Sequence, residues 1–438
     1  MAQQSKSSEN PPSAPRKLSA ISITGFKSLR DRSTLRIAPL TLLAGANSAG
    51  KSSIMQALLL IKQTQEATHD PGGLLLDGPC VHAKSAEALL WNGGDKKKKA
   101  EIWSIELDYG PDRVVQVDYQ RQPTGGFVPL RTRERTERGE LVLEEGFYPA
   151  EVWRRDQPGH EFWVQLLAPG KEVAVARSRT SHRLVFSSGL GEIAPDRLFP
   201  DDFGSDIIHL PGLRGNPERA YLKSRSTAPF PGTFQSYAAS VLLGWQEQKD
   251  PRAAEVADHL VRLGLTWKVE ARRVSQSDTE VELRVGRLPK AQKGGAKDLV
   301  NIADVGFGVS QVLPVVVGLL AGEPGQIVHI EQPELHLHPR AQVAMAGLLV
   351  QAAKRGVLVV VETHAPLLLM AIQLAVAKGD IPAADVSLNW FSRDEEGATQ
   401  IREGHMDAAG AYEDWPVDFA TVERDLMRAY IHAAMGDQ

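Results

Sequence analysis

Gly45-Ala46-Asn47-Ser48-Ala49-Gly50-Lys51-Ser52 is the stretch whose reading decides the fold. It fits G-x-x-x-x-G-K-[ST] at every fixed position. Small residues let successive backbone N–H groups curl around an anion, and the positive end of the next helix points at the same place. Asn47, Ser48, Ala49, Gly50, Ser52 and Ser53 would line such a phosphate cradle. Lys51 would reach the β- and γ-phosphates, and the Ser52 hydroxyl would ligate Mg²⁺. The flanks agree: 40–44 reads as a buried strand, and 52–65 as a helix with Leu58, Leu59 and Ile61 to bury.

Upstream, 18–23 alternates like a strand and Thr24-Gly25 ends it. Phe26-Lys27-Ser28 leads to a second strand at 34–37, and Pro39 breaks the chain before the loop strand. Two antiparallel strands here predict a small extra sheet over the nucleotide. Downstream, 70–95 reads as loops. The run Lys96 to Lys99 is either a solvated hairpin tip or a phosphate-backbone contact. Alternation at 101–108 and 113–119 predicts paired strands, and the mixed charges of 131–140 predict an exposed turn. Strand-like pieces at 163–167 and 182–186 make 100–206 a β-rich insertion. A strand at 207–210 then meets the turn Pro211 to Pro217, whose Arg214 would face a nucleotide or cap a helix. Helices are expected at 234–246 and 253–263, and a hairpin over 267–273 and 280–287 with its turn at 275–278.

The second half of a phosphate site comes later. The β run 327–330 ends in Glu331-Gln332-Pro333-Glu334, and an acid at a strand end can hold Mg²⁺ or its water shell. The buried run 357–361 ends in Glu362-Thr363-His364, and a strand-tip imidazole can touch a γ-phosphate. Asp304-Val305-Gly306-Phe307-Gly308-Val309-Ser310-Gln311 opens a helix, either as a second anion-binding start or as a simple N-cap.

Composition excludes several classes. The chain has 438 residues and a net charge of −4, so no global basic field announces nucleic acid. The single cysteine, Cys80, excludes an internal disulfide framework and fits a reducing cytoplasm. No apolar run approaches the ~20 residues that span a bilayer, and 312–321 is interrupted by Pro314. The polar, Pro/Ser-rich segment 1–17 reads as a disordered tail. No multi-heptad pattern predicts a long coiled coil.

Taken in order, Phe26-Lys27-Ser28, the phosphate loop, Gly306 to Gln311, Glu331-Gln332-Pro333-Glu334-Leu335-His336-Leu337-His338-Pro339 and Thr363-His364 resemble ABC-class ATPases. The resemblance is to the branch holding RecF, the SMC proteins and the OLD ATPases, most of all to stand-alone OLD-type ATPases without a TOPRIM nuclease domain. It implies an α/β P-loop NTPase of ABC-ATPase type with an antiparallel β subdomain, a β-rich insertion and a helical subdomain. The expected division is 18–99 and 301–393 as the two halves of the core, 100–206 as the insertion, 207–300 as the helical and hairpin subdomain, and 394–438 as a C-terminal extension. It further implies ATP and Mg²⁺ as cofactors and a homodimer or higher homo-oligomer closed over ATP. Gly306, Gly308 and Ser310 would then contact ATP in trans, with His336 to Pro339 in the seam.

Glu331, Gln332, Glu334 and His364 are the candidate catalytic residues. The family's Mg²⁺-associated Asp is Glu331 here, and its catalytic Glu is Gln332, whose amide cannot act as a base. The signature also departs from L-S-G-G-Q. The resemblance therefore implies a weak ATPase controlling a separate effector, a nuclease or toxin, in bacterial anti-phage defence, with DNA or a phage protein as what it senses. A RecF-like DNA-repair ATPase and a non-hydrolysing ATP-dependent scaffold are the alternatives. Too few residues follow His364 for a nuclease domain, and Asp394, Glu395 and Glu396 read as solvated.

Overall fold

The computed structural model describes residues 18–144 apart from 70, 72, 94–98, 112 and 138; short strands within 161–193; 206–412 apart from 275–278 and 289–297; and 428–432. Of the lysine run only Lys99 falls among them. The hairpin turn at 275–278 and much of the C-terminal extension 394–438 lie outside them.

β1 (Ala20–Thr24) and β2 (Ser33–Arg36) pair antiparallel, and β3 (Leu40–Gly45) runs into α1 (Lys51–Gln65). β4 (Ile102–Asp108), β5 (Arg113–Arg121), β6 (Phe127–Thr136) and β7 (Gly139–Glu144) follow. β4 pairs with β1 along its length, giving one antiparallel sheet in the order β2-β1-β4-β5-β6-β7. The sheet thus runs across the boundary drawn at 99/100. The mixed-charge segment 131–140 is not an exposed turn: β6 and β7 pair through it, Arg131 with Glu144 and Thr136 with Gly139. Alternating charged side chains suit an antiparallel strand with one solvated face. β8 (Glu161–Gln165), β9 (Glu172–Arg177), β10 (His182–Ser188) and β11 (Gly191–Ile193) form a second antiparallel sheet.

β12 (Ile207–Leu210) returns to the core. After it come β13 (Tyr221–Leu222), α2 (Ala238–Gln248), α3 (Arg252–Arg262) and the antiparallel β14 (Val269–Arg273), β15 (Glu280–Gly286) and β16 (Leu299–Asn301). The chain continues with α4 (Phe307–Ala321), β17 (Ile327–Glu331), α5 (Pro339–Lys354), β18 (Leu358–Glu362) and α6 (Pro366–Ala377). β19 (Val386–Arg393) and β20 (Thr399–Gly404) close it as a hairpin.

The core sheet has the order β12-β17-β18-β3-β19-β20, parallel from β12 through β19. Strand alternation sorts its residues onto two faces. Leu43, Ile207, Ile327, Leu358, Val360 and Phe391 pack with α1 and the first sheet. Leu42, Leu210, Val328, Ile330, Val359 and Val361 pack with α2, α4, α5 and α6. Leu58, Leu59 and Ile61 are fully buried, each contributing ~1.5–3 kcal/mol.

The C-terminal hairpin supports the phosphate loop. Gly45 has φ +137°, and a Cβ there would overlap the Phe391 carbonyl oxygen. Thr399 Oγ1 is 2.8 Å from both Ser28 Oγ and the Ala49 carbonyl oxygen. Asp394 and Glu396, expected to be solvated, are ion-paired to Arg30. Gly45→Ala is accordingly expected to lower folding stability by ~1–3 kcal/mol through the strained dihedral alone, measured by the urea midpoint without nucleotide.

Candidate functional site

Parallel register builds the site. Glu331 at the end of β17 is level with Glu362 at the end of β18, and Glu362 with Leu43 of β3. Three strand tips therefore arrive beside the first turn of α1. Gly50 precedes α1 with φ +101°, and no side chain caps the helix among the described residues. Its first N–H groups are left facing the loop, where an anion is favoured.

Lys51 folds back on its own loop, donating to the carbonyls of Ala46 (2.7 Å) and Gly45 (3.1 Å). Burial lowers its pKa, while Glu362 and Glu334 pull the other way. The Ser52 hydroxyl lies 2.9 and 2.8 Å from the two carboxylate oxygens of Glu362. Burial, together with the nearby Glu331 and Glu334, raises the Glu362 carboxyl to about 7 against the opposing pull of Ser52 and Lys51.

Glu331 faces the other neighbour. Its oxygens meet His209 Nε2 at 3.0 Å and the Gly212 N–H at 3.1 Å. Burial pushes this carboxyl up, but those donors and His329 outweigh it and hold it at about 2. Gln332 takes φ +45°, and its N–H donates to the Glu362 carbonyl at 2.7 Å. Glu334 Oε1 accepts from the His364 N–H at 2.8 Å, while its Oε2 is buried with no partner among the described residues. Burial raises the Glu334 carboxyl and lowers the His364 imidazole.

Arg214 braces two elements and caps no helix end. It is buried, with Nη2 donating to the Glu331 carbonyl at 2.6 Å and Nη1 to that of Gln311 at 3.4 Å. Gln311 Nε2 reciprocates to Gly215 O at 2.6 Å. The Pro211–Pro217 turn thus ties the acidic strand to α4. Gly306 precedes α4 without a side-chain cap, and Gly308 and Ser310 lie in its first turn. Beside this start the Phe307 ring is 6.0 Å from that of His336, and His338 Nδ1 accepts from the Arg340 N–H at α5. α1 belongs to one core cluster and α4 to the other, on opposite faces of the core sheet.

Asn47 to Ser53, Glu331, Gln332, Glu334 and His364 are thus gathered by neighbouring elements, whereas Gly306, Gly308 and Ser310 start a helix on the opposite face. Two residues escaped the sequence reading as site members. Glu362 ends an apolar strand just as Glu331 does, so the same signal pointed to it. His209 has no local signal, because only the β12–β17 pairing brings it to Glu331.

The residues suit a nucleotide with a cation: an uncapped helix start, a left-handed glycine, the orphaned Glu334 oxygen and a buried carboxyl on the Ser52 hydroxyl. The fold is that of an α/β P-loop ATPase, with the G-x-x-x-x-G-K-[ST] loop between β3 and α1 of a mainly parallel core sheet. Residues 17–166 match the family described as "AAA ATPase domain". Residues 186–371 match "AAA domain, putative AbiEii toxin, Type IV TA system". Among solved structures the chain is similar to an SMC head bound to the C-winged helix domain of ScpA, at 13% identity and TM-score 0.48, over 90% of this chain and 99% of that one. It is also similar to the Thermotoga maritima SMC head domain, at 13% and 0.39 over 88% and 98%. A third is an Smc head with an extended coiled coil, bound to a ScpA C-terminal domain derived from Pyrococcus furiosus, at 11% and 0.43 over 94% and 99%. No curated protein matches the chain. Among the described residues no helix is long and apolar enough to cross a membrane.

The raised Glu362 carboxyl gives a pH signature. The folded protein holds a proton there that the unfolded chain releases above its ordinary 4.5. This stabilisation is complete below that pH and is lost as pH rises through about 7. Without nucleotide and in EDTA, Glu362→Gln is expected to gain ~1–3 kcal/mol on wild type between pH 5 and 8, read from paired urea titrations.

Proposed function

We propose that two copies of this chain close over ATP and Mg²⁺, and that the closed dimer is an ATP-gated switch for a separate effector protein. The observation that carries this reading is the separation of the two uncapped helix starts. Lys51 and Ser52 open α1 on one face of the core sheet, and Gly306, Gly308 and Ser310 begin α4 in the other core cluster. A second copy would bring its α4 start to the first copy's loop. Phe307, half exposed beside His336, would join the seam.

Bound ATP supplies the scissile phosphoanhydride, and Mg²⁺ neutralises its charge. Lys51 leaves the Ala46 and Gly45 carbonyls for phosphate oxygens. Ser52, Glu362 and Glu331 are the residues that would hold the cation, Ser52 and Glu362 beside the first turn of α1 and Glu331 at the next strand tip. Gln332 supplies no base. Glu334 therefore takes the water proton on its free Oε2, and the Glu334–His364 link keeps the strand tip in register with the loop. With the amide of Gln332 where a catalytic carboxylate is expected, and Glu334 as the remaining base, turnover is slow and the closed state long-lived.

The match of 186–371 to a family described as a putative toxin of a Type IV TA system supports placing this switch in a toxin–antitoxin or anti-phage setting.

Lys51→Ala is expected to weaken ATP binding ~100-fold or more by removing a charged phosphate contact, read by nucleotide titration. Glu334→Gln is expected to keep ATP binding, cut turnover ~10²–10⁴-fold, and shift the chain to a dimer with ATP in light scattering. Gln332→Glu is expected to raise turnover ~10-fold or more. A chain that stays monomeric with ATP in the Glu334→Gln background overturns the closure. Turnover that survives Glu334→Gln removes this residue as the base.

A further inference from the structure

Two buried imidazoles lie on the α1 face of the core sheet, one and two strands beyond Glu362. His209 of β12 and His329 of β17 are register partners. Their rings stack at 5.2 Å and 8°, and they are 2% and 0% exposed. Neither nitrogen of His329, nor Nδ1 of His209, has a hydrogen-bond partner among the described residues. Native interiors seldom leave such groups unsatisfied without a water or an ion. Glu331, two residues beyond His329 and so on the same face, adds a carboxylate. One ligand atom from each of the three lies within 4.8 Å of the others.

We propose that His209, His329 and Glu331 form a site for a divalent transition-metal ion of the zinc type, distinct from the Mg²⁺ that accompanies ATP. Mg²⁺ takes oxygen ligands and keeps its waters, whereas two imidazoles and one carboxylate suit Zn²⁺. Side-chain rotation must draw the donors to about 3.3 Å apart, the separation on one tetrahedral zinc. β18 stands between this trio and the phosphate-loop strand. The ion has a structural task there. β12 has four residues at the edge of the core sheet, with β17 as its neighbour. A metal bridging the two strands pins that edge, fixes the Glu331 carboxylate and steadies the Gly212–Arg214 turn behind it.

The test uses the full chain without nucleotide, stripped with a chelator and reloaded with Zn²⁺, Co²⁺ or Mg²⁺ alone. About one equivalent of Zn²⁺ per chain is expected by elemental analysis. Zn²⁺ should raise Tm by about 3–6 °C, and Co²⁺ should give visible ligand-field bands. Lys51→Ala should leave all three unchanged, which separates this site from the nucleotide site. His209→Phe and His329→Phe should each abolish them. Retention of less than about a tenth of an equivalent with no Tm shift overturns the proposal, as do undiminished binding in either His variant and an equal Tm rise with Mg²⁺. Should the variants not fold, X-ray absorption of zinc-loaded wild type decides. Two imidazoles in the coordination shell support the site, and none overturns it.

Discussion

The hydroxyl of Ser52 against the carboxylate of Glu362 is the contact on which the site depends. It joins the first turn of α1 to the tip of the strand next to β3, so the loop and the acidic edge hold one geometry. The contact exists because parallel strands in register end at the same level. Were β18 to slip by one residue, Glu362 would turn to the opposite face and Thr363 would meet the helix instead. The apolar alternation that sorts Leu358 and Val360 to one core and Val359 and Val361 to the other makes that slip expensive.

The phosphate loop is held from behind by a part of the chain more than 300 residues away. Thr399 reaches the Ala49 carbonyl and Ser28, Arg30 ties the same hairpin to the first sheet, and Phe391 presses on Gly45. Phe26 is anchored in turn by Trp103 at 4.9 Å, and Trp103 stacks on Tyr119 at 4.7 Å. Strain in the loop backbone is thus balanced by packing outside it. The buried carboxylate of Glu362, the half-buried ones of Glu331 and Glu334, and Lys51 share the space in front. Their pKa values separate: Glu331 is held ionised by N–H donors, while Glu362 and Glu334 are pushed up by burial. Such a division equips one acid to stay charged and others to exchange a cation or a proton.

Arg214 gives the acidic strand a mechanical link to α4. One guanidinium holds the Glu331 carbonyl and the Gln311 carbonyl, so a shift at either end is felt at the other. An always-charged, planar side chain suits that strut, because burial lowers its pKa only to about 10.

The sequence by itself determined the loop, its flanking strand and helix, the acidic strand tip and the imidazole at 364. Each is a local pattern whose spacing carries its own chemistry. It also determined most strands, because period-two alternation is local too. The tertiary structure alone decided that 131–140 pairs as strands, since charge pattern does not reveal a cross-strand partner. It decided that β4 extends the first sheet, that Asp394 and Glu396 serve Arg30, and that Arg214 is a strut. It also chose Glu362 over Glu331 as the partner of Ser52 and set His209 beside His329. Those outcomes follow from strand order and register, which join residues from within one hairpin, as Arg131 and Glu144, to opposite ends of the chain, as Ser52 and Glu362, and neither partner alone announces the other.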